Sequence, residues 1–244
     1  MGKVPSSKRR DHVIPVIPEL PRTMPVPFAY ENDLCEVLAS HLDRVLSSGT
    51  PPLPARTLAQ RPVGGVIPDF IYVRSDRLSL AGSAEGLTSI EAAIVATLAS
   101  GPGLSEKAIA ERLYSRIERI APHLRALERS GVLRRTEDGV LVLRRGALPR
   151  KAHVVAVEAK LRRWREAVGQ AAAYLSFANQ SYVALPDSIV RENAVLRAAA
   201  TALRIGILSV GAGSVTVART APHHRPRSAE WVWLLSRTVE LAKV

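Results

Sequence analysis

Val154-Val155-Ala156-Val157-Glu158-Ala159-Lys160 is an apolar run that ends on a carboxylate, a small residue and an ammonium. It follows the linker 146–151 and precedes a helical pattern, so it reads as a buried strand. Side chains alternate along a strand, which puts Glu158 and Lys160 on one face at its end. Toward the C-terminus the pattern gives a helix over 161–178, a strand over 182–185 and a helix over 188–203. Strands over 207–210 and 215–219 follow, then a closing helix over 229–241. Toward the N-terminus, Leu34, Leu38, Leu42 and Val45 repeat at helical spacing and predict a helix over 31–47. The β-rich stretch 64–73 follows, with 77–81 as its expected antiparallel neighbour. Strands alternating with helices imply an α/β sheet.

Between these two parts the texture changes. Residues 88–99, 105–113 and 116–130 read as helices, and Gly131 leads into short strands 132–135 and 140–145, joined at Asp138-Gly139. This is the order of a winged helix-turn-helix. The runs Ala108-Ile109-Ala110-Glu111-Arg112-Leu113, His123-Leu124-Arg125-Ala126-Leu127-Glu128 and Gly131-Val132-Leu133 resemble winged-helix transcription regulators. The expected organisation is a basic, Pro-rich arm over 1–28, a first core part over 29–85, a winged-helix insertion over 86–148 and a second core part over 149–244. Pro122 is expected to kink or delay the third helix.

The 244 residues are 47% hydrophobic, enough to bury a core, which sets aside disordered and fibrous classes. Thirty-four Lys and Arg against 22 Asp and Glu give a net charge of +12. That balance suits a polyanion, nucleic acid ahead of anionic membrane. Cys35 is the single cysteine, so no internal disulfide or cysteine-based zinc site is available. It reads as a buried thiol in a cytoplasmic chain. The N-terminal basic cluster is not followed by an apolar core of a secretory signal, and its fit to a myristoylation pattern is short enough to arise by chance. No run of about 18 apolar residues occurs, so no membrane span is expected.

Four features could carry chemistry. Glu158 and Lys160 taken alone could be an ion pair at a strand end. Asp69, after Pro68 in apolar sequence, is a second isolated carboxylate, and burying one without a partner costs several kcal/mol. Gln170 and Tyr174 lie four residues apart on the helix after Lys160 and are expected to face back toward the strand end. Glu31 opens the first helix in phase with Leu34, Leu38 and Leu42, which aims it inward, whereas Glu36 falls on the polar face.

Helix residue Glu31, Pro68-Asp69, Glu158-Ala159-Lys160 and the pattern Gln170-Ala171-Ala172-Ala173-Tyr174, in that order, resemble the PD-(D/E)XK nuclease superfamily and its RecB-like branch. The departure is the long gap between Asp69 and Glu158, usually a short hairpin, which the winged helix fills here. The resemblance implies a restriction-endonuclease-like mixed sheet flanked by helices. It further implies Mg²⁺ or Mn²⁺ held by Asp69, Glu158 and the carbonyl of Ala159, with Glu31 acting through water or a second metal. Lys160 would orient the nucleophile or offset developing charge, and Gln170 and Tyr174 would position the other groups.

DNA is the expected partner. Arg116, Arg119 and His123 on the third helix, with Arg134, Arg135, Arg144 and Arg145 on the wing, are the candidate phosphate contacts. The alternatives are a DNA-binding regulator that keeps the fold without catalysis, and a component that docks a protein or a second copy through the winged helix. His223-His224 read as a solvated basic loop, Gly211-Ala212-Gly213 as a hairpin turn, and Trp164, Trp231 and Trp233 as core or interface aromatics.

Overall fold

The computed structural model describes residues 28–47, 53–77, 86–226 and 228–241. The arm expected over 1–28 therefore falls, but for Phe28, outside the described residues, as does most of the strand expected over 77–81. Helix α1 spans Glu31–Ser47, followed by strands β1 (Ala55–Ala59) and β2 (Phe70–Ser75). Next come α2 (Ser89–Ala99), α3 (Glu106–Arg112), α4 (Ile117–Arg129), β3 (Leu133–Arg135) and β4 (Leu141–Leu143). The chain then forms β5 (Ala152–Ala159), α5 (Trp164–Ala173), a 3₁₀ turn (Tyr174–Ser176), β6 (Gln180–Pro186), α6 (Asp187–Val190) and α7 (Ala194–Ala202). It ends with β7 (Gly206–Gly211), β8 (Ser214–Arg219) and α8 (Ala229–Leu241). Among the described residues no helix is long and apolar enough to cross a membrane.

Six strands form one mixed sheet in the order β1-β2-β5-β6-β7-β8. β5, β6 and β7 run parallel, while β1, β2 and β8 make antiparallel contacts at the flanks. β2 is flanked by β1 and β5; β1 was not anticipated, because Ala55–Ala59 is an edge strand with only Leu58 buried. Period-two alternation sorts the two faces. Val155, Val157 and Ala159 pack with Tyr72, Leu208 and Val210 under Leu34, Leu38 and Leu42 of α1. On the other face, Val154 and Ala156 meet Tyr174, Phe177, Leu234 and Leu235, while Val183, Leu185 and Ile207 meet α5 and α7. The sheet is thus covered by helices on both faces.

Residues 89–143 have a core of their own, in which α2, α3 and α4 surround Leu133 and Leu141 of the two-stranded β3-β4 sheet. α2 begins on a capping box, with Thr88 accepting from the Glu91 N–H and Glu91 accepting from the Thr88 N–H. α4 runs through Pro122 from Ile117, so the proline does not delay the helix. α8 joins the two cores: Val232 packs into the α2–α4 cluster, and Leu234 and Leu235 pack on the sheet. The helix expected over 188–203 is two, α6 and α7, because Asn193 caps the second by accepting from the Leu196 N–H at 2.9 Å.

Glycine is needed at two places. Gly64-Gly65 turn the chain back with φ of 57° and 84°, closing the Val63–Val66 bridge that folds toward Glu230. Gly206 lies opposite Tyr182, and a Cβ there would come within 2.2 Å of Tyr182 Cε1 and 2.9 Å of the Ala221 backbone nitrogen. Gly206→Ala is expected to destabilise the protein by about 1–3 kcal/mol, the range for overpacking a filled core. A urea midpoint equal to that of the wild type would refute this.

Candidate active site

Strand pairing brings the first two carboxylates together. Phe70 pairs with Val157 in the antiparallel β2–β5 ladder, so the next residues, Asp69 and Glu158, end side by side across 89 positions of chain. The Ala159 N–H donates to Asp69 Oδ2 at 2.8 Å, which fixes the aspartate to the strand end. Glu158, only 2% exposed, accepts from Lys160 Nζ at 2.9 Å on one oxygen and from the Tyr174 hydroxyl at 2.5 Å on the other. Lys160 Nζ also donates to Glu31 Oε1 and to the Ala159 carbonyl, each at 3.1 Å, and lies 4.0 Å from Asp69 Oδ2. Three carboxylates from α1, the β2 entry and β5 thus surround one ammonium, an excess of negative charge.

The electrostatics follow from that crowding. Burial pushes the Glu158 carboxyl above the ordinary glutamate value, against the hydrogen bonds from Tyr174 and Lys160. Burial likewise raises Asp69, opposed by the Ala159 N–H and by Lys160. Burial works against the Lys160 ammonium, yet the hydrogen bond and charge of Glu158, then Glu31 and Asp69, outweigh it and hold lysine above its usual value. Lys160 is therefore a fixed cation at neutral pH.

Of the residues singled out in the sequence, Glu31, Asp69, Glu158, Ala159, Lys160 and Tyr174 meet here. Gln170 is exposed on α5 and takes no part in these hydrogen bonds. Although Tyr174 opens a 3₁₀ turn, its N–H still bonds the Gln170 carbonyl, so the pair keeps its four-residue spacing, and only Tyr174, 2% exposed, reaches the cluster. Cys35 was read only as a buried thiol, but it lies one turn beyond Glu31 and feels Asp69, Glu31, Lys160 and Glu158. Burial, then the charges of Asp69 and Glu31, push its pKa up to about 11, so it lines the cluster as an uncharged thiol. The i, i+4 spacing from Glu31 was the signal for it.

The oxygen-rich set of two strand-end carboxylates and a carbonyl matches the ligands Mg²⁺ takes when it keeps several waters. Among the described residues no group of three or more His, Cys, Asp and Glu side chains is placed to hold a metal ion.

The candidate phosphate contacts divide into two groups. Arg135 is tied down, donating to Glu106 at 2.7 Å and to both oxygens of Glu128 at 3.1 and 3.2 Å, and His123 lies 3.5 Å from Glu91. Arg116, Arg119, Arg134, Arg144 and Arg145 are exposed. Arg119 lines a small groove with Ile90, Leu113 and Tyr114, between α2 and the α3–α4 turn. Comparison with protein-family models, with curated proteins and with solved structures returns no match.

Proposed function

We propose that this chain hydrolyses DNA phosphodiester bonds with a divalent metal, as a nuclease of the PD-(D/E)XK kind. In this reading, residues 86–148 form an inserted winged helix that positions it on DNA. The observation that carries the reading is the convergence of Glu31, Asp69, Glu158 and Lys160 on one ammonium-centred cluster, from segments up to 129 positions apart. A strand-end ion pair needs two of these groups, and the cluster holds four.

Asp69, Glu158 and the Ala159 carbonyl are the groups that would hold Mg²⁺ or Mn²⁺, with Glu31 at the side. When bound, the ion would lower the pKa of a water and offset charge on the scissile phosphate. The chain's own part is pre-organisation. The Ala159 N–H holds Asp69, and the Tyr174 hydroxyl holds Glu158. Lys160, kept protonated by its neighbours, presents positive charge where a pentavalent phosphorane gains negative charge. The test is incubation of purified protein with linear, circular and single-stranded DNA in Mg²⁺, Mn²⁺ or EDTA. Cleavage with metal and none in EDTA is expected, and intact DNA in every lane would overturn the reading.

A second reading has an observation of its own. The Lys160 ammonium already pairs with Glu158 and Glu31 and lies close to Asp69. That is how a DNA-binding scaffold without catalysis would hold its strand ends. Both readings place exposed arginines on DNA. Because Arg135 is held by Glu106 and Glu128, Arg134→Ala is expected to flatten the slope of log affinity against log salt by about one, and Arg135→Ala by less. Equal slopes for Arg134→Ala and wild type, in a filter-binding series, would remove the wing from the interface.

A further inference from the structure

The turn between α3 and α4 holds an aromatic ring where backbone geometry favours glycine. α3 closes on a Schellman motif: the Tyr114 N–H donates to the Glu111 carbonyl at 3.1 Å and the Ser115 N–H to the Ala110 carbonyl at 2.9 Å. The first residue past such a helix takes the left-handed conformation, and Tyr114 has φ of 50°. Glycine usually stands there, because a bulky L side chain crowds its own backbone. Nothing inside the fold offsets that strain: the Tyr114 ring is 99% exposed, and its hydroxyl makes no hydrogen bond among the described residues.

The strained ring stands at the rim of the groove between α2 and this turn, which has a volume of about 260 Å³. Its floor is apolar, from Ile90, Leu113 and Ile120, and Ser115 and Arg119 share the rim with Tyr114. Pockets that enclose drug-sized ligands hold roughly 300–1,000 Å³, so this one suits a single planar ring. No carboxylate lines it; Glu111 and Glu118 lie on the neighbouring turns, and Glu91 of α2 is engaged by the Thr88 N–H. Arg112, Arg116 and Arg119 are exposed and form no ion pair among the described residues. An open π face beside unpaired guanidinium groups is what a nucleotide with an unstacked base requires, ring on ring and phosphate on arginine. Within a duplex a base shows its edges and not its face, so the ring finds a partner only where the strand is unpaired. A second copy of the chain, at a net charge of +12, would bring the same arginines to the contact and be repelled.

We propose that the α3–α4 turn binds unpaired DNA, with one base stacked on Tyr114 at the groove and the adjoining phosphate on Arg119, so that the chain engages DNA carrying a single-stranded stretch. The assignment rests on the DNA reading above and names the form of DNA. It gives the strain and the exposure of Tyr114 one cause, since the left-handed turn holds the ring out in solvent, pre-set for stacking.

The experiment measures the affinity of the full chain for a labelled oligothymidylate and for a duplex of the same length, by fluorescence anisotropy in EDTA so that neither is cut. Tyr114→Gly should weaken single-strand binding about tenfold, within the effect of removing one base–aromatic stack, and leave duplex affinity as it is. Glycine takes φ of 50° freely, so the Tm of this variant should stay near that of the wild type. Tyr114→Phe keeps the ring and should keep the affinity. Duplex binding without single-strand binding, equal losses for both forms of DNA in Tyr114→Gly, or a loss in Tyr114→Phe as large as in Tyr114→Gly would each overturn the proposal and leave the DNA reading standing. An unchanged single-strand affinity in Tyr114→Gly, with a dimer that the substitution splits into monomers, would overturn it by giving the groove to a second copy. No binding to either form by the wild type would overturn the DNA reading and the proposal together.

Discussion

Glu158→Gln is expected to abolish DNA cleavage, a fall of at least about 10³-fold, with the fold intact and DNA affinity largely kept. The substitution is nearly isosteric: the Tyr174 hydroxyl can still donate to the side-chain carbonyl, and Lys160 keeps Glu31 and Asp69 as counter-charges. What it removes is negative charge at the strand end where the proposed ion sits. Charge stabilisation of that kind acts on the transition state more than on ground-state binding, so the loss falls on the rate. A thousandfold loss corresponds to about 4 kcal/mol of barrier. Asp69→Asn should behave alike, since the Ala159 N–H can still bond the amide oxygen. Plasmid cleavage in Mg²⁺ or Mn²⁺ by Glu158→Gln at the wild-type rate would remove Glu158 from the chemistry, and with it the nuclease reading.

The site was legible where the signal was a charge in an apolar setting. Glu158 and Lys160 stand out from Val154–Val157, and period two placed them together without any tertiary knowledge. Asp69 stands out in the same way, but that it ends opposite Glu158 was not readable from the chain, because the pairing of β2 with β5 crosses the whole of residues 76–151. Tyr174 and Gln170 show the limit of helical spacing: the Tyr174 N–H still bonds the Gln170 carbonyl, yet shared spacing does not give shared burial, and only Tyr174 is buried against Glu158. β1 escaped because an edge strand with one buried side chain has no alternation to read. The role of α8 escaped for a different reason. Trp231 and Trp233 were legible as core or interface aromatics, but their packing against two separate cores is a property of the assembled fold. His223 and His224 read as a solvated loop, since nothing in the sequence says that Asn179, more than 40 positions earlier, fastens that loop across the sheet.

Lys160→Met is expected to destabilise the protein by about 3–5 kcal/mol, the range for breaking a buried ion pair by removing one partner. Methionine fills much of the space of the lysine stem, so lost packing is a small part. The larger part is Glu158, 2% exposed, left with the Tyr174 hydroxyl as its one donor and with Asp69 as a like charge nearby. The pH dependence has a definite sign. Burial already raises the folded-state pKa of Glu158, and losing the Lys160 hydrogen bond and charge raises it further. The folded variant then holds a proton that the unfolded chain has released, so its stability falls as pH rises above the ordinary glutamate pKa and recovers in acid. At roughly 2–4 °C per kcal/mol for a chain of this size, the loss is readable as a fall in Tm at pH 8 that shrinks toward pH 5. Adding Glu158→Gln to Lys160→Met should restore much of the stability, because the two residues are in contact and their effects are not additive. A Tm for Lys160→Met that matches wild type at pH 8, or that the second substitution leaves unchanged, would mean that Glu158 does not depend on Lys160 for its burial.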